Sequence, residues 1–215
     1  MIEDHLGSAE ELHELADPVA PGRYARVMEV TAPAVVLGSA QRPGVVDRPA
    51  AMAAGLQVTR RRSGGGAVLI APGLQVWIDL LIEAGDPLWD DDVTRAAEWV
   101  GRTWARALRT LGFDDVGVHR GGLQAAAWSS LVCFAGLGPG EVVSAGRKVV
   151  GLSQRRSRRW IRTQTGAFHR WDPGALVDVL VLTPPERSAA RLALSDRVAT
   201  VPVGTAEAVL AALPS

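Results

Sequence analysis

One long helical stripe set among many short strand-like runs decides the fold class. From Asp91 to Leu111, the residues Val93, Ala96, Ala97, Val100, Trp104, Ala107, Leu108 and Leu111 recur at helical spacing, and Gly112 follows as a stop. Such a stripe has to lie on another apolar surface, which places Trp104 in a core. The surrounding chain supplies that surface. Arg23–Val30, Ala34–Gly38, Leu56–Arg61, Ala67–Ala71 and Leu74–Ile82 read as strands before the helix. Val116–His119, Ala125–Phe134, Glu141–Ser144, Arg147–Ser153 and Trp160–Thr165 read as strands after it, with Ala145-Gly146 as a hairpin turn. Shorter helices open at Ser8 with Glu11 three residues on, at Asp47-Arg48-Pro49, at Asp172-Pro173, at Pro184-Pro185 and at Thr205. The expectation is an α+β fold, a mixed β-sheet flanked by helices.

At 215 residues, the chain suits a single domain over 1–215 with a helical tail from about 173. A formal net charge of zero gives no global field toward nucleic acid, and neither nucleic acid nor a membrane is an expected partner. The uncharged run from Gly121 to Gly140 is too rich in glycine to make a spanning helix. The acidic start, MIEDHLGSAEEL, lacks an apolar signal region, so the expected location is cytoplasmic. One cysteine excludes a disulfide framework and a structural zinc cluster, and no metal site is expected.

Two stretches carry chemistry. The first holds Cys133, the single cysteine, and Lys148, the single lysine beside 22 arginines (23 basic residues less one). A thiolate is a nucleophile, and a lysine presents a compact point charge where arginine presents a fork. If the Gly136–Gly140 loop folds back, Lys148 reaches the thiol or the carbonyl it attacks, which suits acyl transfer through a thioester. The alternative is a buried structural cysteine and a surface lysine. The second stretch is Arg60-Arg61-Arg62-Ser63-Gly64-Gly65-Gly66 between two strands. Glycines permit close backbone approach to an anion or acyl carbonyl, and arginines offer forked donors. The alternative there is a tight turn with solvated arginines. The basic run Arg155-Arg156-Ser157-Arg158-Arg159 reads as a solvated loop.

RRRSGGGAV followed by GRKVVGLSQRR resembles the lipoate–protein ligase A/octanoyltransferase family, of the biotin/lipoate protein ligase catalytic-domain superfamily. VLGSAQRPGVVD, Val36 to Asp47, is similar to the strand and turn near the start of these domains. The resemblance covers roughly Val27 to Arg197. It implies a mixed sheet with an acyl tunnel beside it, and transfer of a lipoyl or octanoyl group to a lysine of a lipoyl-domain acceptor. It implies catalytic roles for Lys148 and Cys133. It also implies that Arg61, Ser63, Gly64, Gly65, Gly66 and Ala67 line an acyl or acyl-adenylate pocket, with Gly151, Ser153 and Gln154 beside them.

The resemblance leaves the reaction type open. ATP and Mg belong to a ligase, acting on free lipoate or octanoate. Cys-Phe at Cys133-Phe134, with Glu141 seven residues on, is where cysteine-dependent octanoyltransferases carry a thioester nucleophile, with acyl carrier protein as donor. A non-catalytic acyl- or acyl-adenylate-binding relative is a further alternative. The length implies no separate accessory C-terminal domain. The basic run could meet an acidic lipoyl domain or a nucleotide phosphate. Two departures stand out: Leu69-Ile70-Ala71 replaces a common Tyr-His-Asp, and Thr165-Gly166 replaces His-Gly.

Overall fold

The computed structural model describes residues 1–214; Ser215, the last residue of the expected domain, lies outside the described residues. Among the described residues, ten strands form two sheets. The larger has the order β1-β2-β6-β10-β9-β8-β7, built from β1 (Ile2–Gly7), β2 (Arg23–Val30), β6 (Gln75–Glu83), β7 (Val116–Val118), β8 (Val142–Ser144), β9 (Arg147–Arg156) and β10 (Trp160–Phe168). Its β1–β2 pair is parallel and the other pairs are antiparallel. The smaller sheet places β3 (Ala34–Leu37) between β4 (Gln57–Arg60) and β5 (Val68–Ile70), parallel to the first and antiparallel to the second.

The long helix, α3 (Val93–Thr110), starts on an Asp92 cap whose carboxylate accepts from the amides of Thr94 and Arg95. Its stripe packs on one face of the large sheet. Trp104, Val100 and Leu108 meet Ile78, Leu80, Val150 and Ile161, and α6 (Thr205–Ala211) closes that core through Val209. Burying each of the Ile and Leu side chains contributes about 2 kcal/mol. A second core lies on the far side of the small sheet, where Val35 and Leu37 meet Leu176 of α4 (Gly174–Asp178) and Leu194 of α5 (Pro184–Ser195). Between the two sheets, Met28, Val36, Ile70 and Trp77 pack with Leu12 of α1 (Ala9–Glu14). The remaining short helix, α2 (Arg48–Ala53), begins on Asp47.

Three details differ from the sequence expectation. β1 is an additional strand; its residues alternate between exposed and half-buried at the sheet edge, and its polar composition hides it. Ala125–Phe134 is not a strand. It forms turns and a short 3-10 segment, Cys133–Ala135, and its backbone joins no ladder, meeting its neighbours through isolated bridges such as Ala67 with Val132. Thr205 is the first residue of α6 rather than its cap; Gly204 takes the cap position and the Thr205 hydroxyl donates to the Pro202 carbonyl.

The β8–β9 hairpin turns through Ala145 and Gly146, both at positive φ (48° and 74°). A non-glycine residue in this region is strained by about 1 kcal/mol, and Asn tolerates it better than Ala. Ala145→Asn is expected to stabilise the fold by about 0.5–1 kcal/mol, read as a higher denaturant midpoint with an unchanged slope.

Candidate active site

The face of the large sheet turned away from α3 forms the floor of a slot. Two strand glycines, Gly151 of β9 and Gly166 of β10, lie opposite each other in register there. Gly166 has only one atom, a backbone oxygen, within 4 Å of where a Cβ would sit, so the missing side chain is open space. Val68 and Ile70 of β5 form the roof. Phe134, Phe168 and Trp77 supply aromatic walls, and Cys133, Arg61, Ser153, Gln164 and His13 bring the polar atoms. The slot holds about 550 Å³, counting its open mouth.

Cys133 stands at the start of the 3-10 segment and packs against the Phe134–Phe168 cluster at one end of the slot. The Cys133 amide donates to the Ala67 carbonyl at 2.9 Å, which ties this segment to the start of β5. Arg61 Nη2 lies 3.9 Å from Sγ. That nitrogen already donates to the carbonyls of Gly64 and Gly66 at 2.7 and 2.8 Å, so it acts on the sulfur as a nearby positive charge.

Lys148 does not line the slot. Its ammonium, 5% exposed, pairs with Glu141 Oε1 at 2.7 Å and donates to the carbonyls of Cys133 and Gly136 at 3.1 and 3.2 Å. These three partners use its three protons. Glu141 is equally engaged, accepting from the Gly138 amide at 2.7 Å and the Leu152 amide at 3.0 Å. The Gly136–Gly140 loop folds back, but Lys148 reaches the backbone carbonyl of Cys133 rather than its thiol or a carbonyl under attack. The lysine clamps the segment that presents the thiol, and its ammonium also lies 4.7 Å from the centre of the Phe134 ring.

The glycine run serves the chain's own packing. A Cβ on Gly66 would come within 2.6 Å of Val132 backbone, and one on Gly38 would come within 1.9 Å of the Gly65 carbonyl. Gly64, Gly65, Gly66 and Ala67 lie outside the slot lining, although a Cβ on Gly65 would come 3.6 Å from the Cys133 sulfur. Arg61 lines the slot, with most of its donors spent on the carbonyls of Gly64, Gly66 and Val36. Ser63 donates its one hydroxyl proton to Gln164 Oε1 at 3.1 Å, and its oxygen lies 2.9 Å from the Ser153 hydroxyl, which can donate to it, so these three belong to one polar edge. Gln154 is next to Ser153 and so turns to the opposite face of β9, where its amide meets Thr163 at 3.5 Å.

His13, on α1, is a slot residue that local sequence did not single out. Its ring lies 4.5 Å from that of Trp77, and burial, aided by the Arg61 and Arg162 charges, lowers its pKa to about 3. It is therefore neutral. Beneath it lies a fully buried pair, Asp79 with Arg162 at 2.6 Å. Burial pushes the Asp79 carboxyl up, and donors from Arg162, Trp77 and Gln164 oppose that shift. Arg162 also donates to the carbonyls of Leu12 and Leu15, which fixes the end of α1 and with it His13.

The two departures from the family pattern have different outcomes. Ile70 is an apolar roof residue, and the Thr165 hydroxyl is spent on the Ile78 carbonyl at 2.7 Å. Two arginines of the basic run are ion-paired, Arg155 with Asp17 and Arg159 with Glu83, and Arg156, at the end of β9, donates to the carbonyls of Asp90 and Asp91. Among the described residues, no group of three or more His, Cys, Asp or Glu side chains is arranged to hold a metal ion, and no helix is long and apolar enough to cross a membrane.

Removing the Lys148 counter-charge leaves a buried ammonium uncompensated. Glu141→Gln is expected to destabilise the fold by about 3 kcal/mol, and Glu141→Gln with Lys148→Met is expected to recover part of that loss in the same denaturation measurement. His13 gives a pH signature. Its folded pKa of about 3 lies below its ordinary 6.5, so between these values the unfolded chain binds more protons. Its contribution is complete above pH 6.5 and is lost as pH falls toward 3, by at most about 1.4 kcal/mol per pH unit. Comparing stability from pH 7 to pH 4, His13→Phe is expected to show a shallower decline than the parent protein.

Known proteins can be set beside this geometry. The model of the lipoyl protein ligase A/B catalytic domain matches residues 3–200. Octanoyltransferase LipM of Kyrpidia tusciae is 34% identical over 152 residues, 69% of this chain and 55% of that protein, so the match spans about half the relative's length. In structure, a lipoate-protein ligase A bound with ATP superposes with a TM-score of 0.72 at 18% identity, covering 98% of this chain and 82% of the other. The bi-partite lipoate protein ligase of Thermoplasma acidophilum, solved in a study of that ligase and its E2 lipoyl domain, gives a TM-score of 0.72 at 16% identity, covering 99% and 82%. The two structures share the fold, and the family model reaches from β1 to the segment before α6. The chain belongs to the lipoyl protein ligase A/B catalytic domain family.

Proposed function

We propose that the protein transfers a medium-chain acyl group, octanoyl or lipoyl, to a lysine of a lipoyl-domain acceptor in the cytoplasm, with Cys133 holding the acyl group as a thioester. The observation that carries this reading is a thiol opening into an otherwise largely apolar slot, beside a buried guanidinium 3.9 Å away. In the first step, the Cys133 thiolate attacks the carbonyl carbon of a donor thioester, such as an acyl carrier protein supplies. A carbon–sulfur bond forms to Cys133, the donor's carbon–sulfur bond breaks, and the donor sulfur leaves as a thiol carrying the proton that the Cys133 thiol gave up. In the second step, the acceptor lysine's neutral amine attacks the same carbon. The amide forms, the bond to Cys133 breaks, and the amine's proton returns to the cysteine sulfur. Arg61 stabilises negative charge on sulfur in both steps. The Lys148–Glu141 pair keeps the Cys133 segment in place, so it acts through position.

The relation to octanoyltransferase LipM supports the thioester route. One observation favours a second reading, an ATP-dependent ligase. Beyond Phe134, Phe168 and Val68 lies an adjoining cleft of about 320 Å³, counting the solvent at its mouth, bordered by Arg170, Asp172 and Trp171. In that reading, the cleft seats the nucleotide with Mg, and free octanoate or lipoate is the substrate.

Two donors separate the readings, with a lipoyl domain as acceptor and intact mass as readout. Octanoyl-acyl carrier protein is expected to acylate the acceptor and to leave an octanoyl adduct on Cys133 when the acceptor is omitted, and Cys133→Ser is expected to lose both products. Acylation only from octanoate with ATP and Mg, retained in Cys133→Ser, would establish the ligase instead.

A further inference from the structure

The slot ends on a hydrogen-bond donor that the protein leaves without an acceptor. Gln164 determines this. Its Oε1 accepts from the Ser63 hydroxyl at 3.1 Å, so its Nε2 is the atom that faces Asp79 Oδ2 at 3.3 Å and His13 Nδ1 at 3.1 Å. An amide nitrogen only donates, so Nδ1 of the neutral imidazole is the acceptor and Nε2 carries the ring proton. His13 is 8% exposed and lines the slot, and among the described residues no acceptor meets its Nε2. His13 Nε2 is not one of the fully buried unpaired polar atoms, so it keeps contact with the solvent of the slot. A plain chain that displaces that water leaves the donor unpaired at a cost of roughly 1–3 kcal/mol, and a ligand that supplies an acceptor avoids it.

The donor stands away from the thiol. Cys133 packs with the cluster of Phe134 and Phe168, the latter at one end of the floor strand, while His13 is bonded to Gln164, four residues back along that strand. At the rise of a strand, four residues span roughly 13 Å. The floor between them is the open surface of Gly166 faced by Trp77, which guides an unbranched chain from one end to the other.

We infer that His13 Nε2–H donates to an acceptor atom near the distal end of the bound acyl chain, so that the slot selects a medium-chain acyl group bearing oxygen or sulfur there over a plain saturated chain. The inference rests on the acyl-slot reading and names the substrate class within it. His13 is on this view a specificity determinant, held by Gln164 and by the Arg162 contacts to α1.

Calorimetry with octanoate, ω-hydroxyoctanoate and lipoate tests it on the intact chain. The parent protein is expected to bind ω-hydroxyoctanoate about tenfold more tightly than octanoate, with lipoate between them, because sulfur is a weaker acceptor. His13→Phe keeps a ring against Trp77 and removes the donor, and it is expected to invert the order in favour of octanoate. His13→Gln, which restores an N–H, is expected to recover part of the preference. If octanoate binds and the ratio is the same in the parent and in His13→Phe, the inference is wrong and the acyl slot stands. If none of the three acids binds the parent protein, the acyl slot itself is wrong and the inference falls with it.

Discussion

The ion pair between Lys148 and Glu141 is the constraint on which the site depends. Both side chains are about 5% exposed, and each would be costly alone. Paired, they draw four pieces of backbone together: the Cys133 carbonyl, the Gly136 carbonyl, the Gly138 amide and the Leu152 amide. A segment without regular structure is thereby held as firmly as a strand. The backbone of Lys148 is itself fixed by hydrogen bonds with Arg197 and Ala199, so the clamp is anchored in the sheet and in the chain that follows α5. An arginine fork does not reproduce this arrangement, in which one ammonium points at a carboxylate and two carbonyls. That accounts physically for a lysine at this position in a chain that otherwise uses arginine.

A second buried pair, Asp79 with Arg162, organises the opposite end of the slot. The two pairs share a logic. Each takes a charge on a central strand and spends it on carbonyls of a neighbouring irregular or short element, the Cys133 segment in one case and the end of α1 in the other. The sheet is rigid, and its charges export that rigidity to the pieces that bear the thiol and the imidazole.

Much of this was legible in the residues. The stripe from Val93 to Leu111 and the Ser8–Glu11 capping box are local signals, and the structure contains both. Lys148 stood out by composition, and Glu141 only through the family resemblance, but their direct contact depends on a loop closing over β9. His13 gave no local signal, because its surroundings come from residues far along the chain: Trp77 on β6, Gln164 on β10 and Arg61 after β4. β1 was hidden because an edge strand with one solvated side needs little hydrophobicity. Ala125–Phe134 read as a strand for the converse reason: Val132, with half-buried Trp128 and Leu131, packs into the core of β3 and α4 without a ladder partner.

The order of the small sheet has its own consequence. β4 and β5 both pair with β3 and not with each other, so the chain from Arg61 to Ala67 vaults over β3. Its span is set at two strand spacings, roughly 10 Å. Both feet are pinned: the Arg61 amide is bonded to the Leu37 carbonyl, and the Ala67 amide to the Leu131 carbonyl. Midway, the Gly65 carbonyl rests against Gly38 and Arg61 ties the crest down. An arch with fixed feet and a fixed crest has one permissible length. The bridge tolerates exchange at Arg62, which faces solvent, but it cannot absorb an inserted or deleted residue, because any change in its length would reach β5 and, through the Cys133 amide, the thiol itself.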